Sequence, residues 1–170
     1  MDGRIKGGGS VTAIKSILLD NSFVTRLLKP DDEFHQNARD YFQYFLEENI
    51  ILYLSTIVVS EYAVADDPDN LLSLNAFQLL EFDYVDAKIA GEFFALLKND
   101  KEVRQVEQRR VIINDIKLFA QIYNRNIDAF ITKDREALSK MIAPLKNSKG
   151  LNFQYWDLTI PLKEKLGLLF

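Results

Sequence analysis

"DAFITKDREALSK", residues 128–140, and "SILLDNSFVTRLL", residues 16–28, share one pattern. A short apolar run stops near an aspartate, Asp134 in the first stretch and Asp20 in the second, and a helix-like pattern begins at once. Ile17-Leu18-Leu19 and Ala129-Phe130-Ile131 are consecutive apolar residues, as expected of strands buried on both faces. Further strands of this kind are expected at 50–55 ("IILYLS"), 77–83 ("FQLLEFD") and 153–158 ("FQYWDL"), with the fourth at 127–132 ("IDAFIT"). Between them lie helical patterns. A short helix runs to about Leu28, and residues 34–46 place Phe34, Ala38, Tyr41, Phe42, Phe45 and Leu46 on one stripe. "TIVVSEYAVA" (56–65) fits either state by composition and reads as a helix because Ser55-Thr56 can cap its start. Residues 85–98, 113–126 and 134–142 complete the set. Strands alternating with helices predict an α/β fold in three layers, α/β/α, around a parallel sheet of about five strands. Ligands in such sheets bind beyond the carboxyl ends of the strands, which is where Asp20 and Asp134 fall.

The composition narrows the chemistry. At 170 residues and 48% hydrophobic, the chain suits one domain, residues 13–170, preceded by a flexible tail or appended linker at 1–12 ("MDGRIKGGGSVT"). The glycines of that tail precede any strand and lack a following Gly-Lys-Ser/Thr, so they do not form a phosphate loop. Nor does the tail hold the apolar core of a signal peptide. No apolar run reaches the ~18–20 residues of a membrane span, so no membrane partner is expected, and the absence of cysteine suits the cytoplasm. A formal net charge of −4 provides no global field for a polyanion. With no cysteine and one histidine, His35, thiolate nucleophiles, cysteine-bearing zinc sites and histidine pairs are excluded.

Acids number 25, so position has to separate the informative ones from the rest. For Asp20 and Asp134, taken singly, helix capping is as good an account as ligation. Glu61 is less easily dismissed. At helical spacing its neighbours are Ile57, Val58, Val64 and Ala65, all apolar. Around Asp115 the same positions hold Val111, Ile112, Leu118 and Phe119. A buried carboxylate costs several kcal/mol unless it is paired or protonated. A lysine or arginine partner would satisfy either one alone. A bound cation accounts for all four together, and an all-carboxylate set selects a hard ion, Mg²⁺ or Mn²⁺. Asp20-Asn21-Ser22 lacks the second aspartate of a dehalogenase-type phosphotransferase, and the first strand lacks the acidic pair of a receiver domain.

In order and spacing these stretches resemble the PIN domains, the nuclease family that includes VapC-type toxins. The resemblance runs from Ile17 to about Leu158 and rests on "LLDNSFV", "STIVVSEY" and "NDIKLFAQIYNRNIDAFITKD". It implies a metal-dependent endoribonuclease in which Asp20, Glu61, Asp115 and Asp134 are catalytic and bind Mg²⁺ or Mn²⁺. Ser22 and Thr132 would orient them. The implied partners are an RNA substrate and a small antitoxin protein, with a homodimer as a further expectation. An RNA-processing nuclease that is not a toxin, or a non-catalytic PIN binding module, are the alternatives. The stretch 98–110 carries eight charges in thirteen residues. Its Arg104, Arg109 and Arg110 would either guide RNA or form a solvated face.

Overall fold

The computed structural model describes residues 13–98 and 109–168, leaving aside the side chains of residues 109–112, 136, 137 and 141. Five strands form one parallel sheet: β1 (Ser16–Leu19), β2 (Ile51–Ser55), β3 (Phe77–Leu80), β4 (Ala129–Thr132) and β5 (Gln154–Asp157). Their order across the sheet is β3-β2-β1-β4-β5. β1 therefore lies at the centre, and its Ile17, Leu18 and Leu19 are fully buried because both faces and both edges are covered. β4 beside it is buried throughout. β3, at one edge, exposes Gln78 and Leu79, as an edge strand covered on one side does.

Eight helices lie among the described residues: α1 (Asn21–Leu27), α2 (His35–Glu47), α3 (Thr56–Tyr62), α4 (Asp69–Leu72), α5 (Tyr84–Leu97), α6 (Arg109–Arg125), α7 (Arg135–Lys149) and α8 (Leu162–Lys165). The pleat of β4 and β5 assigns them to layers. Ile131 pairs with Trp156, and Trp156 packs against Tyr41, Tyr44 and Phe45 of α2. Phe130 pairs with Tyr155 and turns the other way, where Phe119 of α6 meets it edge-on at 5.9 Å. Successive residues of a strand face opposite sides, so α2 and α6 cover opposite faces. The three-layer α/β/α arrangement follows.

Several expected boundaries move, each for a local reason. The expected third strand, 77–83, stops at Leu80 because Asp83 is taken by a capping box with Asp86 at the start of α5. Helix 56–65 ends at Tyr62, and residues 63–66 continue as tight turns, with the Tyr62 hydroxyl donating to Asp66 at 2.7 Å. Helix 134–142 runs on through Pro144 to Lys149 and ends at Gly150, whose φ of 70° is the left-handed cap conformation. Helix 113–126 begins earlier, at Arg109. Residues 1–12 and Arg104 lie outside the described residues, as do the side chains of Arg109 and Arg110, so the expected tail and basic rim are not placed. No helix among the described residues is long and apolar enough to cross a membrane.

Candidate active site

α1, α3 and α7 begin with at most two residues between them and the carboxyl ends of β1, β2 and β4, while α6 returns along the sheet with its early residues at that same end. Asp20 and Asp134 are the N-cap residues of α1 and α7, yet neither side chain makes a capping hydrogen bond. Capping therefore does not account for either carboxylate. Ser55 supplies the contrast: its hydroxyl caps α3 by accepting from the Ile57 amide at 3.1 Å, as its sequence position predicts. The same hydroxyl donates to the buried Gln121 at 2.6 Å, tying β2 to α6.

Asp20 is held by hydroxyls. Ser22 Oγ donates to Asp20 Oδ2 at 2.7 Å and Thr132 Oγ1 donates to the same oxygen at 2.9 Å. Each hydroxyl in turn accepts a backbone amide of the β4–α7 loop, Lys133 N on Ser22 at 3.0 Å and Asp134 N on Thr132 at 3.1 Å. The amides occupy hydroxyl lone pairs and leave each hydroxyl hydrogen to point at the carboxylate. Burial raises the Asp20 carboxyl above its ordinary range; the Ser22, Thr132 and Asn21 hydrogen bonds work against this, and the Asp134 charge adds to it.

Glu61, in the last turn of α3, accepts a hydrogen bond from Asn114 Nδ2 at 2.7 Å. Its surroundings are only partly those expected. Val58 is buried and Ile57 half-buried, but Val64 is 87% exposed because the helix has already ended. The apolar enclosure comes from the N-terminal side alone. Burial nevertheless raises the Glu61 carboxyl, opposed by the Asn114 bond and reinforced by the charge of Asp20.

Asp115 is the extreme case. It is 6% exposed, and its Oδ2 is buried with no hydrogen-bond partner. Burial first, then the negative charges of Asp20, Glu61 and Asp134, push its carboxyl up to about 8. One helix back, Asp86 shows what a structural buried acid looks like. It is wholly buried and bonded by Arg125, Asn124 and the Asp83 amide. Burial alone would raise that carboxyl; Arg125, Asp83 and Asn124 outweigh it and hold it low. Among the described residues, no lysine or arginine forms an ion pair with Asp115, Glu61 or Asp20.

The four acids therefore share one electrostatic neighbourhood at the carboxyl end of the sheet, although no three acidic side chains among the described residues converge into a ready coordination shell. Asn114 and Tyr155 belong to the same neighbourhood and were not singled out from the sequence. Nothing in the residue pattern marks Asn114 except its place directly before Asp115, in the second turn of α6.

No family model matches this chain, and no curated protein matches its sequence. Solved structures do match. VapBC2 from Rickettsia felis, solved bound to a DNA fragment from its promoter, superimposes with a TM-score of 0.55 at 15% identity, covering 84% of this chain and 99% of that one. VapBC-1 from nontypeable Haemophilus influenzae gives 0.55 at 15% identity, over 85% and 99%. The fold is that of the VapC-type PIN domains. VapC20 from Mycobacterium tuberculosis, a toxin that cleaves the sarcin-ricin loop, gives 0.51 at 15% identity, over 72% of this chain and 94% of its own. The PIN fold thus spans nearly the whole of each relative, and at these identities the likeness is one of fold.

Proposed function

We propose that this PIN-fold protein is a metal-dependent endoribonuclease that works with a small antitoxin partner, as the VapC proteins it resembles in fold are found in VapBC assemblies. The observation that carries the reading is Asp115 Oδ2, a buried carboxylate oxygen with no donor, on which the charges of three further acids act. Buried polar atoms are almost always satisfied, and an orphan among like charges calls for a cation. The donors are all oxygen, which fits Mg²⁺ or Mn²⁺ and excludes a soft metal.

Asp20, Glu61 and Asp115 would hold the ion, with Asp134 at the exposed side of the group. Bound there, the ion supplies a water acidic enough to attack at neutral pH and offsets charge developing on phosphate oxygens. The chain's own part is to aim and to hold. Ser22 and Thr132 fix the Asp20 carboxylate, and Asn114 fixes Glu61. Four acids repel an RNA phosphate until cations reverse the sign of the pocket, so substrate binding and metal binding are coupled.

The direct test is incubation of defined RNAs with Mn²⁺, with Mg²⁺ or with EDTA, followed by sequencing of the ends. Internal cleavage that EDTA abolishes is the expected result. Cleavage that persists in EDTA, or none with either metal, would rule the reading out.

Asp134→Asn separates ligand from cap more finely. The Asp134 side chain makes no cap bond, and asparagine caps as well as aspartate, so the melting temperature should be unchanged. An amide is a poorer ligand for a hard cation, and calorimetry should show Mn²⁺ binding weakened by roughly tenfold, a loss typical of an outer position. Wild-type affinity in this variant would leave a site of three acids.

A further inference from the structure

Asp115 Oδ2 has a counterpart across the layer. Tyr155, in β5, buries its hydroxyl with no hydrogen-bond partner, although a buried phenol normally finds one. The ring is firmly placed. It packs at 5.1 Å from Phe153 and 6.1 Å from Phe130, and Phe130 meets Phe119 of α6. Phe119 lies one helical turn beyond Asp115, so both occupy the same side of α6, the side facing this aromatic group. Of the charges acting on the hydroxyl, Asp115 is the strongest, then Asp20, with Arg135 opposing them. Two orphaned buried oxygens thus lie on facing elements, β5 and α6, within electrostatic reach of one another.

We propose that Tyr155 is a positioning residue of the carboxylate site, its hydroxyl donating to a water that in turn donates to Asp115 Oδ2. A water has one hydrogen and one lone pair to give to such a pair, so both oxygens are satisfied at once. The carboxylate is then held in one rotamer while its remaining lone pairs stay available to a cation. The arrangement does for Asp115 what Ser22 and Thr132 do for Asp20 and Asn114 does for Glu61. Outer partners of this sort fix ligand orientation and are worth about 10-fold to 100-fold in metal affinity or rate. The inference rests on reading the acids as a metal site.

Tyr155→Phe removes the hydroxyl and keeps the ring contacts, so its metal-free melting temperature should match wild type. Calorimetric titration with Mn²⁺ should show a Kd weakened by about tenfold or more, and cleavage at saturating Mn²⁺ should lose kcat with KM for RNA unchanged. A residue that only packs would leave the melting temperature, the Mn²⁺ Kd and kcat all at wild-type values, because phenylalanine keeps the ring contacts. Wild-type Kd and kcat in Tyr155→Phe overturn the proposal while the metal reading stands. Failure of wild type itself to bind Mn²⁺ overturns both.

Discussion

Asp115→Asn should abolish RNA cleavage and, at pH 8 and above, make the metal-free protein more stable than wild type. Its carboxylate is buried, undonated at Oδ2 and opposed by three acidic neighbours, so the charged form is what the fold tolerates least. Replacing it with a neutral group of the same shape relieves that repulsion, and each 1 kcal/mol gained is about 2–4 °C in Tm for a chain of this size. The gain should vanish at pH 5, where wild-type Asp115 is already protonated. Cleavage should fall by more than about a hundredfold, beyond what losing an outer partner costs. A variant that is less stable than wild type at pH 8 without metal would show that Asp115 has a stabilising partner, and the assignment would be wrong.

The second large effect is the dependence of wild-type stability on pH and on metal. Asp20, Glu61 and Asp115 all have folded-state carboxyls raised above their ordinary values. Between the unfolded value near 4 and the folded value, the native state binds more protons than the unfolded one. Stability without metal must therefore be greatest near pH 4–5 and fall as pH rises towards 8, by up to about 1.4 kcal/mol per pH unit for each proton at stake. Most proteins with paired carboxylates show the opposite slope over the acid range. Saturating Mn²⁺ offsets a large part of that fall, because a cation prefers the deprotonated acids. At a hundred times its Kd it adds about 2.7 kcal/mol, or roughly 5–10 °C, at pH 8 and little at pH 5. Thermal melts over this pH range with Mn²⁺ or EDTA measure both effects. A metal-free Tm that climbs steadily from pH 5 to 8 would contradict the burial of these acids.

The sequence disclosed the sheet more fully than the site. Strands buried on both faces announce themselves as unbroken apolar runs, and β1, β2 and β4 lie within a residue or two of where Ile17-Leu18-Leu19, "IILYLS" and "IDAFIT" put them. Edges blur because capping competes there: Phe82 and Asp83 look like strand until the pairing of Asp83 with Asp86 is seen. The four acids could be found by position, and Ser22 and Thr132 by their place beside two of them. Asn114 and Tyr155 could not. Their relation to Glu61 and Asp115 is made by packing across elements 53 residues apart in the one case and across the β5–α6 layer in the other. The neighbours counted around Glu61 were correct towards its N-terminal side and misleading beyond, since a helix period says nothing after the helix has stopped at Tyr62.

The position of β1 between β2 and β4 has a consequence for how the molecule comes into being. The contact that aims Asp20 joins residues 112 apart in the chain, Thr132 to Asp20. Contacts of such long separation form late, because the loop they close must be ordered before they repay it. During synthesis, β1, β2 and β3 can pair while Thr132 is still to be made, and Asp20 then lacks its hydroxyl from β4. Tyr155 comes later still, on the last strand of the sheet. A growing chain thus lacks the hydroxyl that aims Asp20, and the strand that carries Tyr155, until β4 and β5 have been made.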